Sequence, residues 1–223
     1  MKKKEFKSTT KVYKRTCVEV ETYIYYRMLL QRVSRHLSAA EVSFLMGKPL
    51  DYVEQMENFK IKSVLAEDLY AMHLVLEMKT IAWMLPLGLS NSREDRYELH
   101  IIKMEACVIY QMHKFDVESN QNIIDFKRID IRHDIDHNEN LTESEFELIK
   151  ELIDKLLLDG YFNEQRTPAE IYGLCCDKLG SYIKPKNLMQ VLQPLVEGKE
   201  SMRLIRKQSG YGFVYVIDFG SEK

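Results

Sequence analysis

The sequence predicts a mainly α-helical chain with a small β content, that is, an α+β fold in two domains. Apolar residues recur at helical spacing over residues 18–83 and again over residues 142–196. Alternation of apolar and polar residues, which is typical of strands, is confined to residues 97–133 and 202–217. The length of 223 residues allows one large domain or two small ones, since a domain has about 150 residues.

The composition is that of a globular chain. Hydrophobic residues make up 45% and the formal net charge is −2, which excludes a largely disordered protein. No apolar run reaches the ~18 residues of a membrane-spanning helix, and no apolar stretch of a secretory signal follows the basic N-terminus. The four cysteines form neither a CxxC motif nor a zinc-finger spacing. We therefore expect a cytoplasmic protein with reduced cysteines, no membrane partner, no metal and no cofactor.

Residues 1–16 are predicted to be a basic arm. Seven Lys and Arg residues oppose one glutamate there, which gives a local net charge of +6. Such an arm is either a solvated chain terminus or a flexible segment that contacts phosphates.

Residues 17–88 are predicted to form a helical domain that contains a helix-turn-helix. A capping box, Ser38-Ala39-Ala40-Glu41, begins a short helix, Gly47 ends it, and Pro49 suits the first turn of the next helix. The segment resembles the phage-repressor/Cro-like helix-turn-helix family in this capped opening, in its glycine turn, in the apolar pair Val53 and Met56, and in the ending Glu57-Asn58.

The resemblance implies that the second helix of this segment, residues 50–58, enters the major groove. That helix carries Asp51, Glu54 and Glu57 but no Lys or Arg, whereas affinity for DNA depends largely on neutralising phosphates. Two interpretations stay open for it: direct contact with DNA, or a packing or dimerisation module that keeps the fold.

Residues 89–140 are predicted to be a β-rich connecting segment of two or three antiparallel strands. The alternation that indicates strands covers residues 97–101, 108–112 and 124–131, and a helix over residues 97–112 is the alternative. The overlapping residues 130–159 have a net charge of −7, and a protein partner is a further prediction for this acidic region.

Residues 141–223 are predicted to form three helices followed by a β-hairpin. Capping boxes begin at Thr142 and Thr167, and a third helix begins near Pro185. Two strands flank the turn Ser209-Gly210-Tyr211-Gly212. This order of elements is similar to that of the winged-helix domains of bacterial transcription regulators, which implies DNA recognition by the third helix and the hairpin.

The charge of this region supports the same interpretation. From Lys184 to Gly212 the net charge is +4. Amide side chains can read the edge of adenine, whereas Lys and Arg can bind phosphates. The predicted DNA-binding residues are Asn187 and Gln190 for bases, and Lys184, Lys186, Arg203, Arg206 and Lys207 for phosphates.

The sequence therefore predicts a transcription regulator without catalytic residues that binds double-stranded DNA. A homodimer is expected, because paired half-sites increase specificity. The alternative is a protein-interaction adaptor that keeps the helix-turn-helix architecture without binding DNA. A third hypothesis, a metal-dependent enzyme, rests on His133 and His137, but in an extended chain Asp134 and Asp136 face away from them.

Overall fold

The structure is a computed structural model that describes residues 8–85, 94–105, 107–116, 121–131, 143–198 and 203–218. The predictions for the first seven residues of the basic arm, for the boundary near residue 88, and for His133 and His137 lie outside these described residues. No helix among the described residues has both the length and the apolar composition to cross a bilayer.

The described residues form seven α-helices and six β-strands. In chain order they are β1 (Thr9–Val18), α1 (Glu19–Ser34), α2 (Ala39–Leu45), α3 (Tyr52–Glu57), α4 (Ala66–Val75), β2 (Glu94–Lys103), β3 (Val108–Asp116), β4 (Gln121–Asp130), α5 (Glu143–Leu158), α6 (Pro168–Leu179), α7 (Pro185–Val196), β5 (Leu204–Gln208) and β6 (Phe213–Ile217).

The chain divides into two compact units. Unit 1 comprises Met1–Ser38 and Val53–Glu139, and unit 2 comprises Ala39–Tyr52 and Asn140–Lys223. The start of the second part of unit 2 lies next to the predicted boundary at residue 141. Residues 39–52, by contrast, belong to unit 2, although the sequence suggested a continuous helical domain over residues 17–88.

Unit 1 is built around a four-stranded antiparallel sheet in the order β1-β2-β3-β4. Leu99 of β2 pairs with Met112 of β3, and both side chains are buried because this face of the sheet belongs to the core. Helix α1 contributes to the core with a face that includes Met28, and its Tyr26 ring stacks on Phe126 of β4 with 3.9 Å between the ring centroids. The alternation seen in the sequence therefore does define strands, and not a helix over residues 97–112.

The fold class is α+β with an extensive sheet, so the prediction of a mainly α chain is wrong. The error arises at residues 9–16, which the charge pattern assigned to a basic arm and which form most of β1. Two of their basic side chains have partners: Lys14 Nζ lies 3.0 Å from Glu98 Oε1, and Arg15 donates to the Tyr25 hydroxyl at 2.6 Å. Because charged side chains lie on both faces of β1, its sequence lacks the alternation that indicates a strand, although β1 pairs with β2 along its whole length.

Unit 2 contains α5, α6 and α7 followed by the β5–β6 hairpin, which is the predicted order. Helix α6 begins with the predicted capping box, in which Glu170 N donates to Thr167 Oγ1 at 3.2 Å and Thr167 N donates to Glu170 Oε2 at 2.7 Å. Arg166, just before α6, adds a short antiparallel bridge to Tyr215 of β6. The segment 39–52 completes the unit, with α2 packed against α6 and α7.

Candidate nucleic-acid interface

Helix α7 has one buried and one exposed face. Its buried face carries the predicted apolar residues, including Leu188 and Leu192, which fix the rotation of the helix about its axis. Gln190 and Gln193 are exposed on the other face, and Lys186 is partly exposed. The Gln193 side chain donates a hydrogen bond to Glu197 at 2.7 Å. The Gln190 side chain makes no such bond to another described residue of the helix.

Asn187 lies in the interior of unit 2. Its exposed fraction is 4%, and its Oδ1 atom has no hydrogen-bond partner among the described residues. Asn187 precedes the buried Val191 by four residues, which places both on the same helix face. The structure therefore separates the two amides that the sequence grouped together for base recognition: Gln190 faces outward and Asn187 does not.

The β5–β6 hairpin presents basic and aromatic side chains to solvent. Arg206 and Lys207 are exposed on β5, and the guanidinium carbon of Arg206 lies 5.3 Å from the centroid of the Phe213 ring. Tyr211, in the turn, is 63% exposed. Arg203 lies at the base of the hairpin, where its Nε is 3.8 Å from a carboxylate oxygen of Asp218, so its charge is partly neutralised.

The charges of unit 2 are separated between elements. Basic side chains are concentrated at the start of α7 and on β5, whereas the exposed charged side chains of α5 are mostly acidic. A local basic surface can bind a polyanion even when the whole chain has a formal charge of −2, because screening limits the influence of distant charges to about 10 Å.

Sequence reasoning missed the carboxylate at the start of α7. Glu41 of α2 is 8% exposed, and its Oε1 accepts a hydrogen bond from the backbone N–H of Lys186 at 3.3 Å. A carboxylate at this end of a helix satisfies a free N–H group and interacts favourably with the helix dipole. The sequence linked Glu41 only to the capping box of its own helix, and nothing in it indicates a partner 145 residues away.

The base of the hairpin is joined to the turn that follows α2. Phe213 N donates to the carbonyl oxygen of Gly47 at 2.7 Å. A Cβ atom on Gly212 would lie 2.5 Å from that oxygen, and one on Gly47 would lie 2.7 Å from the carbonyl oxygen of Phe213. Only glycine allows the two backbones to approach this closely. The segment 39–52 therefore supports both the start of α7 and the hairpin.

Helix α3, the acidic second helix of the repressor-like segment, places its apolar pair in the core. Val53 and Met56 are completely buried. Glu57 is also buried, and its two carboxylate oxygens accept hydrogen bonds from Arg32 at 2.6 and 2.8 Å. Burial lowers the pKa of Arg32, but the charge and hydrogen bonds of Glu57 outweigh this effect and raise it above its ordinary value. Glu57 is thus one half of an internal ion pair.

Two of the four cysteines, Cys17 and Cys175, are buried, and Cys107 and Cys176 are half-buried. All four are free, and Cys175 is fully buried beside Cys176 on α6. Burial raises the pKa of the Cys175 thiol to about 12, so the reactive thiolate is rare at neutral pH. Within the described residues, no group of three or more His, Cys, Asp or Glu side chains is arranged to hold a metal ion.

Comparisons with known proteins give no relative: no protein-family model, no curated protein and no solved structure matches the chain.

Proposed function

We propose that unit 2 binds double-stranded DNA and that the chain is a sequence-specific transcription regulator. The observation that carries the proposal is the combination, in one compact unit, of an exposed polar face on α7 with an exposed basic hairpin. A helix and a hairpin of this kind are the two elements with which winged-helix domains contact the grooves and the backbone. The bridge between Arg166 and Tyr215 further supports a winged-helix arrangement, because it ties the hairpin to the start of α6.

The exposed and half-buried polar residues of this surface divide into two roles. Gln190, at the centre of the exposed face of α7, is proposed to read a base edge in the major groove. Lys184, Lys186, Arg206 and Lys207 are proposed to bind phosphates, and Arg203 contributes less because Asp218 lies beside it. Asn187 is left out of the contact set, since it is buried.

We further propose that the protein is a cytoplasmic homodimer without enzymatic activity. The four free cysteines agree with a reducing compartment. Two copies of unit 2 on paired half-sites would raise the specificity of recognition beyond that of one copy.

Selection of bound duplexes from a random pool, followed by affinity measurements, tests the proposal. Gln190→Ala is expected to reduce the preference for the selected sequence about 10- to 100-fold, since a bidentate base contact contributes about 1–3 kcal/mol. Lys186→Ala is expected to lower affinity evenly across sequences. The matched control is Gln165→Ala, which removes an exposed amide outside α7 and the hairpin. If no sequence is enriched, or if Q190A and Q165A behave alike, base reading by α7 is contradicted.

A second candidate function is a protein-interaction adaptor that does not bind DNA. Two observations favour it: the Glu41 carboxylate adds negative charge beside the start of α7, and α5 exposes several acidic side chains. This candidate predicts that the folded chain fails to bind duplex DNA even at low ionic strength, where a DNA-binding protein has its highest affinity.

A further inference from the structure

Helix α5 exposes two leucines on the face opposite its core face. Its buried side chains include Ile149, Ile153 and Leu157. Leu148 and Leu158, by contrast, are 54% and 73% exposed. Single exposed leucines are ordinary in monomers, so the arrangement of their neighbours decides whether they form a surface for a partner.

The two leucines belong to a regular stripe. Residues 148, 151, 155 and 158 follow one another at spacings of three, four and three, which is the spacing of the contact positions in a coiled coil. Glu151 and Lys155, the two middle members, are exposed as well. We name these four residues, Leu148, Glu151, Lys155 and Leu158, the α5 stripe.

We propose that the α5 stripe is the surface through which a second copy of this chain binds, with the two α5 helices antiparallel. We place the two-fold axis at the level of residue 153. A residue a given number of positions before 153 then faces the partner's residue that lies the same number of positions after 153. Leu148 and Leu158 are both five residues from this level, and Glu151 and Lys155 are both two residues from it. Leu148 then packs against the partner's Leu158, and Glu151 meets the partner's Lys155, twice in each dimer.

This self-complementarity favours a second copy of the chain as the partner and an antiparallel orientation of the two α5 helices. A parallel pair would set Glu151 against its own copy and Lys155 against its own copy, and like charges in contact are destabilising. A basic helix from another protein would suit the acidic neighbours Glu147 and Asp154, but it would place positive charge against Lys155. The antiparallel pair gives both charged members of the stripe an opposite charge and both leucines an apolar partner.

This interface rests on the proposed homodimer but not on DNA binding, so it and the DNA-binding proposal can fail separately. Two leucine pairs and two exposed ion pairs form a small contact, and the flanking acidic side chains repel each other. A dissociation constant of about 10 μM is therefore expected rather than a permanent dimer.

Sedimentation equilibrium of the full chain without DNA, from about 1 to 200 μM, tests the proposal around that expected constant. Glu151→Lys and Lys155→Glu each turn two attractive pairs into repulsive ones, so each is expected to weaken the dimer about tenfold. The double variant E151K/K155E exchanges the charges and is expected to restore the original affinity. The control K178E makes the same charge change on α6, and it is expected to leave the dimer unchanged.

A second pair of variants keeps the test decisive if a charge variant fails to fold. Leu148→Gln and Leu158→Gln remove the apolar partners at an exposed face, and each is expected to weaken the dimer with the helix content measured by circular dichroism unchanged. A chain that stays monomeric throughout the range overturns the proposal. It is also overturned by a dimer that is insensitive to the single charge reversals, or one that the double exchange does not restore.

Discussion

At the scale of single residues, burial decides the role of a charged side chain more than its type does. The sequence groups Glu57 with Asp51 and Glu54 as the acidic residues of the second helix of the repressor-like segment. The structure instead encloses it, with side-chain exposures of 4% for Arg32 and 7% for Glu57. The spacing of Val53 and Met56 indicated the inner face of α3 correctly, but the partner 25 residues earlier in the chain left no local signal.

The Arg32–Glu57 pair leads to a stability prediction. Glu57→Ala leaves the Arg32 guanidinium buried without its counter-charge, and the free energy of unfolding is expected to fall by about 3–5 kcal/mol. The double variant R32M/E57L removes both charges and fills the space with apolar atoms, so its loss is expected to be much smaller. Urea denaturation followed by circular dichroism measures both values. If Glu57→Ala lowers the free energy of unfolding no more than R32M/E57L does, the buried and unpaired Arg32 charge does not destabilise the fold as predicted.

Asn187 illustrates a second limit at the residue scale. The sequence groups its amide with Gln190 for base reading, because both lie between the apolar positions of the helix, yet Asn187 shares the inner face of α7 with Val191. A prediction based on the position of each residue around the helix, rather than on side-chain type, would have separated Asn187 from Gln190.

At the scale of elements, the local signals predicted unit 2 well and unit 1 less well. The capping box at Thr167 and Glu170 is present, and the positive φ of 67° at Gly47 agrees with the predicted glycine ending of α2. The sequence does not indicate strand β1 because Lys11, Lys14 and Arg15 interrupt its alternating pattern; Lys14 pairs with Glu98 of β2 and Arg15 bonds to Tyr25 of α1. A strand's partners are long-range features, and no window of sequence contains them.

The contact between Gly47 and the hairpin leads to a prediction about a single glycine. Gly47→Ala is expected to lower the free energy of unfolding by about 1–3 kcal/mol, because alanine is strained at a positive φ and its Cβ would collide with the Phe213 carbonyl. The control is Gly173→Ala within α6, where the added Cβ meets nothing within 4 Å apart from its chain neighbours and the backbone of its own helix. Since alanine favours helix, this control is expected to be neutral or to stabilise by up to about 1 kcal/mol. Thermal unfolding measures the stability of both variants. Equal changes for Gly47→Ala and Gly173→Ala would contradict the close approach of the Gly47 and Phe213 backbones.

At the scale of the whole molecule, the segment 39–52 makes the organisation of the chain discontinuous. It lies between two parts of unit 1 in sequence, yet it caps α7 through Glu41 and holds the hairpin through Gly47. Sequence patterns divide a chain into consecutive stretches, so they could find the helices of this segment but not the unit to which they belong. The boundary predicted at residue 141 lies next to the start of the second part of unit 2, because helical spacing of apolar residues resumes there.

The formal net charge of −2 is a sum over basic and acidic regions that lie on different elements, and the proposed function depends on the basic ones. The most direct test of that function is the salt dependence of duplex binding, measured by fluorescence anisotropy for the wild type, R206A/K207A and the control K150A/K178A. Each variant loses two positive charges from unit 2, but only the first loses them from the hairpin. DNA binding by the hairpin predicts that the slope of log affinity against log salt falls by about 2 for R206A/K207A and hardly changes for K150A/K178A. Equal slopes for the two variants, or no binding by the wild type at low salt, would contradict it.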